Sequence, residues 1–150
     1  MISNIILAFV LPWFIGIVHL FKKDKLLLIL VAPFSSVISY FVNTVAYYFG
    51  FWEVTPFPKQ KNLASLPFEL GFYPILACYL VFFIRTSKNP YFVVVFMSLL
   101  TTLLELLCFY VGWIIYANGW NIYLTFFSYL FPFLIVYWYY KYLIKPYILL

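Results

Sequence analysis

Tyr91-Phe-Val-Val-Val-Phe-Met-Ser-Leu-Leu-Thr-Thr-Leu-Leu-Glu105-Leu-Leu-Cys-Phe-Tyr-Val-Gly-Trp113 is the longest apolar run of the chain, and it holds a carboxylate well inside it. A helix that crosses a bilayer needs about 20 mostly apolar residues, which this run supplies. An ionisable group at that depth costs about 2.5–3.5 kcal/mol on insertion scales. Glu105 must therefore be neutralised, hydrogen-bonded or hydrated, and it is the first candidate functional residue.

The remainder of the chain reads the same way. It has 150 residues, 67% of them hydrophobic and 9% charged, whereas soluble domains carry roughly 25% charge. A water-soluble fold of this size could not hide so much apolar surface. The expected fold is an all-α integral membrane bundle, a single domain over 1–150, with five transmembrane helices at about 2–21, 26–51, 66–84, 91–116 and 122–140. The breaks between them are Lys22-Lys-Asp-Lys25, the turn-rich stretch from Trp52 to Ser65, Arg85-Thr-Ser-Lys-Asn-Pro90 and Ala117-Asn-Gly-Trp-Asn121. Each contains charge, Pro, Gly or Asn, the residues that end helices and form turns.

Orientation follows from the distribution of Lys and Arg, which favour the cytoplasmic side. Lys22, Lys23, Lys25, Arg85, Lys88, Lys141 and Lys145 fall on one side, and only Lys59 and Lys61 on the other. The expectation is an external amino terminus and a cytoplasmic carboxyl terminus. Residues 2–21 have no basic segment before them and no small-x-small site after them, so they read as an uncleaved first helix, not a signal peptide.

The net charge of +5 is spread over these short clusters, where it orients the chain and meets anionic headgroups; no nucleic-acid partner is implied. Cys78 and Cys108 lie inside the expected spans without metal-ligand spacing and read as small buried hydrophobes. His19 has no His or Cys companion and reads as an interfacial residue. No phosphate loop, nucleophile elbow or dinucleotide fingerprint occurs, and neither metal nor cofactor is expected. Trp52 and Trp120 are expected at the outer interface and Trp138 at the inner one, as belt residues.

A weak internal repeat is visible. Leu11-Pro-Trp-Phe-Ile-Gly matches Leu66-Pro-Phe-Glu-Leu-Gly, and Tyr48-Phe-Gly-Phe matches Tyr110-Val-Gly-Trp. The second alignment pairs Asn43 with Glu105 across two parallel repeat units. Ser35 with Ser39, and Ser98 with Thr102, are small pairs at the spacing that suits close helix packing.

Chemistry has few places to reside. At ~1.5 Å per residue, Glu105 is expected roughly 16 Å below Tyr116, near the midplane. Asn43 is expected about 12 Å below the same surface, and Glu69 closer to the interface, where it can meet water. Pro12, Pro33, Pro67, Pro74 and Pro132 each remove a backbone donor within or beside a span, and the kinks can open a cavity. The candidate binding site is such a cavity, lined by Glu105, Glu69, Asn43, Tyr47, Tyr73 and Tyr110, with Glu105 able to carry a proton.

Thr101-Thr-Leu-Leu-Glu105, Gly112-Trp-Ile-Ile-Tyr-Ala-Asn-Gly-Trp-Asn121 and Leu66-Pro-Phe-Glu-Leu-Gly-Phe-Tyr-Pro74 resemble a family of small multi-pass membrane proteins of endospore-forming Firmicutes. That resemblance implies the bacterial inner membrane and no particular activity. Pro67-Phe-Glu69 is similar to the Pro-x-Glu core of lycopene-cyclase-type membrane domains, in which the Glu supplies catalytic acid. The acidic residue that often adjoins it there is Leu70 here.

Three functional expectations follow. The first is a non-enzymatic membrane protein that binds lipid, a partner membrane protein or further copies of itself through its helix faces. The second is a small proton-linked transporter with a site at Glu105 and Asn43. The third is an isoprenoid- or lipid-modifying enzyme using Glu69 and Glu105.

Overall fold

A computed structural model describes residues 2–56 and 59–144. Among these, four helical stretches are long and apolar enough to cross a membrane: Ile2–Phe49, Lys61–Thr86, Pro90–Tyr110 and Ile122–Leu143. A straight helix of 48 residues would extend about 72 Å, more than twice the ~30 Å of a hydrocarbon core. The stretch is not straight. At Asp24 the backbone leaves helical geometry, with φ −160° and ψ 87°.

That break reverses the chain. The first helix, α1 (2–21), runs parallel to α3 (Lys61–Thr86): Asn4 donates to the Ala64 carbonyl near their starts, and His19 meets Tyr79 further along both. The next helix, α2 (Lys22–Phe49), runs antiparallel to α3, with Cys78 against the Leu27 carbonyl and Asn43 against Glu69. Asp24 sets the corner twice over. Its carboxylate accepts from the Leu26 and Leu27 amides at 3.1 and 3.3 Å, capping the new helix, and it pairs with Arg85.

Two prolines show how the helices exchange backbone partners. Pro74 has no N–H for the Leu70 carbonyl four residues earlier, and that carbonyl accepts from Trp13 Nε1 at 2.7 Å. Pro12 likewise cannot serve the Ala8 carbonyl, which lies against Gly71 on α3. Only glycine permits that approach, because a Cβ at Gly71 would stand 2.5 Å from the Phe9 Cα. Pro12 and Gly71, one from each of the two matching motifs, therefore lie where α1 and α3 touch. Helical segments Ile5–Val10, Ile17–Phe21 and Phe68–Phe72 widen to π geometry around these contacts.

The third corner is Ser87 to Asn89, after which Pro90 opens α4 (Pro90–Tyr110) with the Asn89 side chain accepting from the Phe92 amide. The last helix, α5 (Ile122–Leu143), is capped by Asn121, which accepts from the Tyr123 and Leu124 amides. Ser98, Thr101 and Thr102 are buried, each bonding back to the carbonyl four residues earlier. This small-residue stripe lets α4 pack closely, as the sequence pattern predicts.

The expected outer boundaries of two spans are corrected. The second helix ends at Phe49, where Gly50 at φ +66° turns the chain, and the fourth at Tyr110, before Gly112 at φ +75°. The residues beyond them form strands. Trp52–Val54 (β1) pairs antiparallel with Ile114–Tyr116 (β2), with Trp52 opposite Tyr116 and Val54 opposite Ile114. β-branched and aromatic residues favour this extended pairing over another helical turn. Flanking bonds from Thr55 N to Trp113 O (2.9 Å) and Ala117 N to Phe51 O (2.8 Å) extend the link. The third helix is longer than expected and starts at Lys61.

The sheet caps one end of the bundle, with a small core of Ala46, Trp52, Val54, Ala64 and Ile114 beneath it. Asn4 ties α1 to this cap through the Thr55 carbonyl at 2.7 Å. Trp52 is buried in that core, and the half-buried Trp120 packs against it edge-on at 4.8 Å. The main apolar core lies toward the Asp24–Arg85 end, around Leu20, Leu27, Val31, Leu80, Val81 and Val136. The outward faces carry large hydrophobic side chains such as Phe92, Leu103 and Phe131, which suits a lipid solvent.

Candidate functional site

Two hydrogen-bonded clusters stand below the sheet, each built on one carboxyl. In the first, Glu69 Oε1 accepts from Asn43 Nδ2 at 2.9 Å and from Ser65 Oγ at 2.7 Å. Asn43 in turn accepts from Trp52 Nε1 at 3.1 Å. Glu69 is 1% exposed, which corrects the expectation that it is open to water. The widened Phe68–Phe72 turn points it into the bundle. Its second oxygen has no hydrogen-bond partner among the described residues, and neither does the buried Tyr47 hydroxyl.

The second cluster surrounds Glu105. Tyr116 donates to Oε1 at 2.6 Å, Thr125 reaches the same oxygen at 3.4 Å, and Tyr129 donates to Oε2. Trp120 Nε1 donates to Thr125 Oγ1 at 2.9 Å, and Tyr73 and Tyr129 share a bond of 3.4 Å. The hydroxyls on the carboxyl come from β2 and α5, so it joins both elements to α4, and Tyr73 of α3 is linked to it through Tyr129. Tyr116 lies in the strand outside the helices; burial, with the Glu105 carboxyl beside it, pushes its phenol up, which keeps it a donor.

The same geometry changes where Glu105 sits along its helix. Tyr116 is not the far end of its span but folds back onto it. With α4 ending at Tyr110, Glu105 lies about 8 Å inside the helix end, not 16 Å.

Two hollows meet at Glu105. A cavity of about 60 Å³ is lined by Ser39, Asn43, Ser65, Tyr73, Glu105 and Tyr129 together with apolar side chains. It has room for about two waters. On the other side, a groove of about 250 Å³ runs between α1, α3 and α4, walled by Leu7, Phe68, Phe72, Leu104, Leu107 and Trp113. Leu7 and Leu107 at its rim are 44% and 62% exposed.

Of the six candidate residues, Asn43, Tyr73 and Glu105 line the small cavity. Glu69 touches Asn43 and Ser65, which line it, without lining it itself. Tyr47 places its hydroxyl in the buried interior. Tyr110 is corrected: it is 77% exposed on the outer face of α4 and lines neither hollow. Four residues were not anticipated, namely Ser65, Tyr116, Thr125 and Tyr129. Thr125 and Tyr129, one turn apart on α5, carried the signal that could have marked them.

At the opposite end, His19 stacks on Tyr79 and bonds its hydroxyl at 3.0 Å, with Lys23 at 2.9 Å from the other ring nitrogen. Arg85 binds Asp24 and the Tyr140 hydroxyl. Among the described residues, no three or more His, Cys, Asp or Glu side chains group as metal ligands. Lys145, counted in the charge distribution, lies outside the described residues.

Comparisons with protein-family models, with curated proteins and with solved structures return no match.

Proposed function

We propose that the chain is a multi-pass protein of the bacterial plasma membrane that binds an amphiphile in the groove between α1, α3 and α4. The polar end of the ligand is held at Glu105 and its hydrocarbon lies against the apolar wall. The observation that carries this reading is Glu105, the one carboxyl among the described residues lining a 250 Å³ apolar groove whose residues Leu7 and Leu107 are exposed. Binding sites of this kind combine an apolar lining with a few convergent polar groups.

The reversal at Asp24 favours five crossings, with α1 and α2 as separate spans. The basic residues around Arg85 favour that end as the cytoplasmic one, and hence an external amino terminus. A groove for lipid needs no reactive constellation, so the reading is non-enzymatic. A partner membrane protein, or a second copy, would bind across the exposed apolar faces.

Mass spectrometry of the protein purified in mild detergent tests the proposal. A discrete co-purifying amphiphile is expected, and Leu107→Trp, which fills the exposed rim, should remove it. Retention of the same molecule by the filled variant would place binding elsewhere. A second reading, a proton-linked carrier, is favoured by Asn43 and Glu105 lining one cavity. Proton uptake into proteoliposomes that depends on Glu105 would support it.

A further inference from the structure

Glu105 receives hydrogen bonds and no positive charge. Tyr116, Thr125 and Tyr129 all turn a hydroxyl toward its two oxygens, and Trp120 supports the chain from behind. The ion pairs among the described residues are Lys61–Glu53, beside the sheet, and Arg85–Asp24, at the opposite end of the bundle. Among the described residues, no Lys, Arg or His lines the groove or the small cavity.

A carboxyl in such surroundings discriminates sharply among ligand heads. Charge interactions are far stronger in a low-dielectric site than in water. A phosphate or carboxylate head would meet a second acidic group without any cation to receive it. A hydroxyl head would gain one neutral hydrogen bond. An ammonium would gain a charge-assisted bond, roughly twice as strong. The groove also presents aromatic rings, from Phe68, Phe72, Tyr73, Trp113 and Tyr129. Their faces attract a cation within about 6 Å and offer nothing to an anion.

Resting on the reading of the groove as an amphiphile site, we infer that its ligand carries a positively charged amine head without phosphate, seated on Glu105, with a single hydrocarbon tail along the apolar wall. The outer sheet holds this chemistry in place, because Tyr116 of β2 orients the carboxyl that takes the ammonium.

Three probes of equal chain length test the inference: octadecylamine, octadecanol and octadecanoate, each offered to the protein in phosphatidylcholine nanodiscs and read by native mass spectrometry. Octadecylamine should be retained at least about tenfold more tightly than octadecanol, in line with a charge-assisted bond. Octadecanoate should be retained least. Glu105→Gln keeps the shape of the side chain and should bring the amine down to the level of the alcohol, with circular dichroism confirming that the variant is folded. If amine and alcohol bind equally to the wild-type protein, and Leu107→Trp excludes both, the groove stands and the charge preference is overturned. If no probe is retained, or if Leu107→Trp retains them all, the groove itself fails as a binding site. Amine retention that survives Glu105→Gln would overturn the assignment of the head to this carboxyl.

Discussion

The Tyr116 hydroxyl donates to Glu105 Oε1 across 2.6 Å, linking the outer sheet to the carboxyl of α4. The contact makes the sheet part of the site, since β2 can place Tyr116 only while it is paired with β1. Tyr116→Phe removes the hydroxyl and keeps the ring, which stacks on Phe109 at 4.9 Å. The expected loss is about 1 kcal/mol of stability. A lowered thermal midpoint in detergent, accompanied by weaker amphiphile retention, checks it; retention equal to wild type would separate the sheet from the site.

Asn43 bridges the buried Glu69 carboxyl and the Trp52 indole. Asn43→Leu leaves both without that partner in an apolar interior. A loss of about 1–3 kcal/mol is expected. Ser39→Ala should cost far less, because its hydroxyl already bonds the Ser36 carbonyl of its own turn. Comparing the two thermal midpoints tests whether the polar bridge, rather than any substitution on α2, carries the stability.

Gly71 and Gly16 both face another helix, but they meet different obstacles. A Cβ at Gly71 would strike the backbone of α1 at Phe9, whereas at Gly16 it would stand 2.7 Å from the Cδ1 tip of Ile75. A backbone cannot yield as a side chain can. Gly71→Ala should therefore cost about 1–3 kcal/mol and reduce yield, with Gly16→Ala milder. Equal effects would argue that α1 is free to move on α3.

Asp24 caps α2 and pairs with Arg85 at the corner where the chain reverses. Asp24→Ala removes both interactions. The expected loss is about 1–2 kcal/mol, most of it from the cap, since the ion pair is partly exposed. Arg85→Gln should cost less than Asp24→Ala; the reverse order in thermal melts would make the ion pair the stronger tie.

The crossing number can be read by labelling single cysteines at Lys23, Lys59, Lys88 and Asn118 in a background lacking Cys78 and Cys108. An impermeant maleimide added to intact cells should reach the positions at 59 and 118 and leave those at 23 and 88 unlabelled until the cells are opened. Labelling at 23 from outside would contradict a reversal within the cytoplasmic leaflet.

The sequence by itself determined the helical runs and the corners between them. Runs of apolar residues long enough to cross a bilayer are local properties, and so are Asp24, Asn89 and Asn121 as capping residues. The contact of α1 with α3 was not among the expectations, although Pro12 and Gly71 of the two matching motifs lie at it. Only the tertiary structure decided how the carboxyls are partnered. Nearly every face of these helices is apolar, so no periodic stripe shows which side turns inward. Glu69 found Asn43 and Ser65, while Glu105 found hydroxyls from a strand and from the last helix. β1 and β2 are three residues each and come from separate loops. Their pairing is a long-range event that no local pattern encodes, and it brings Tyr116 down onto Glu105.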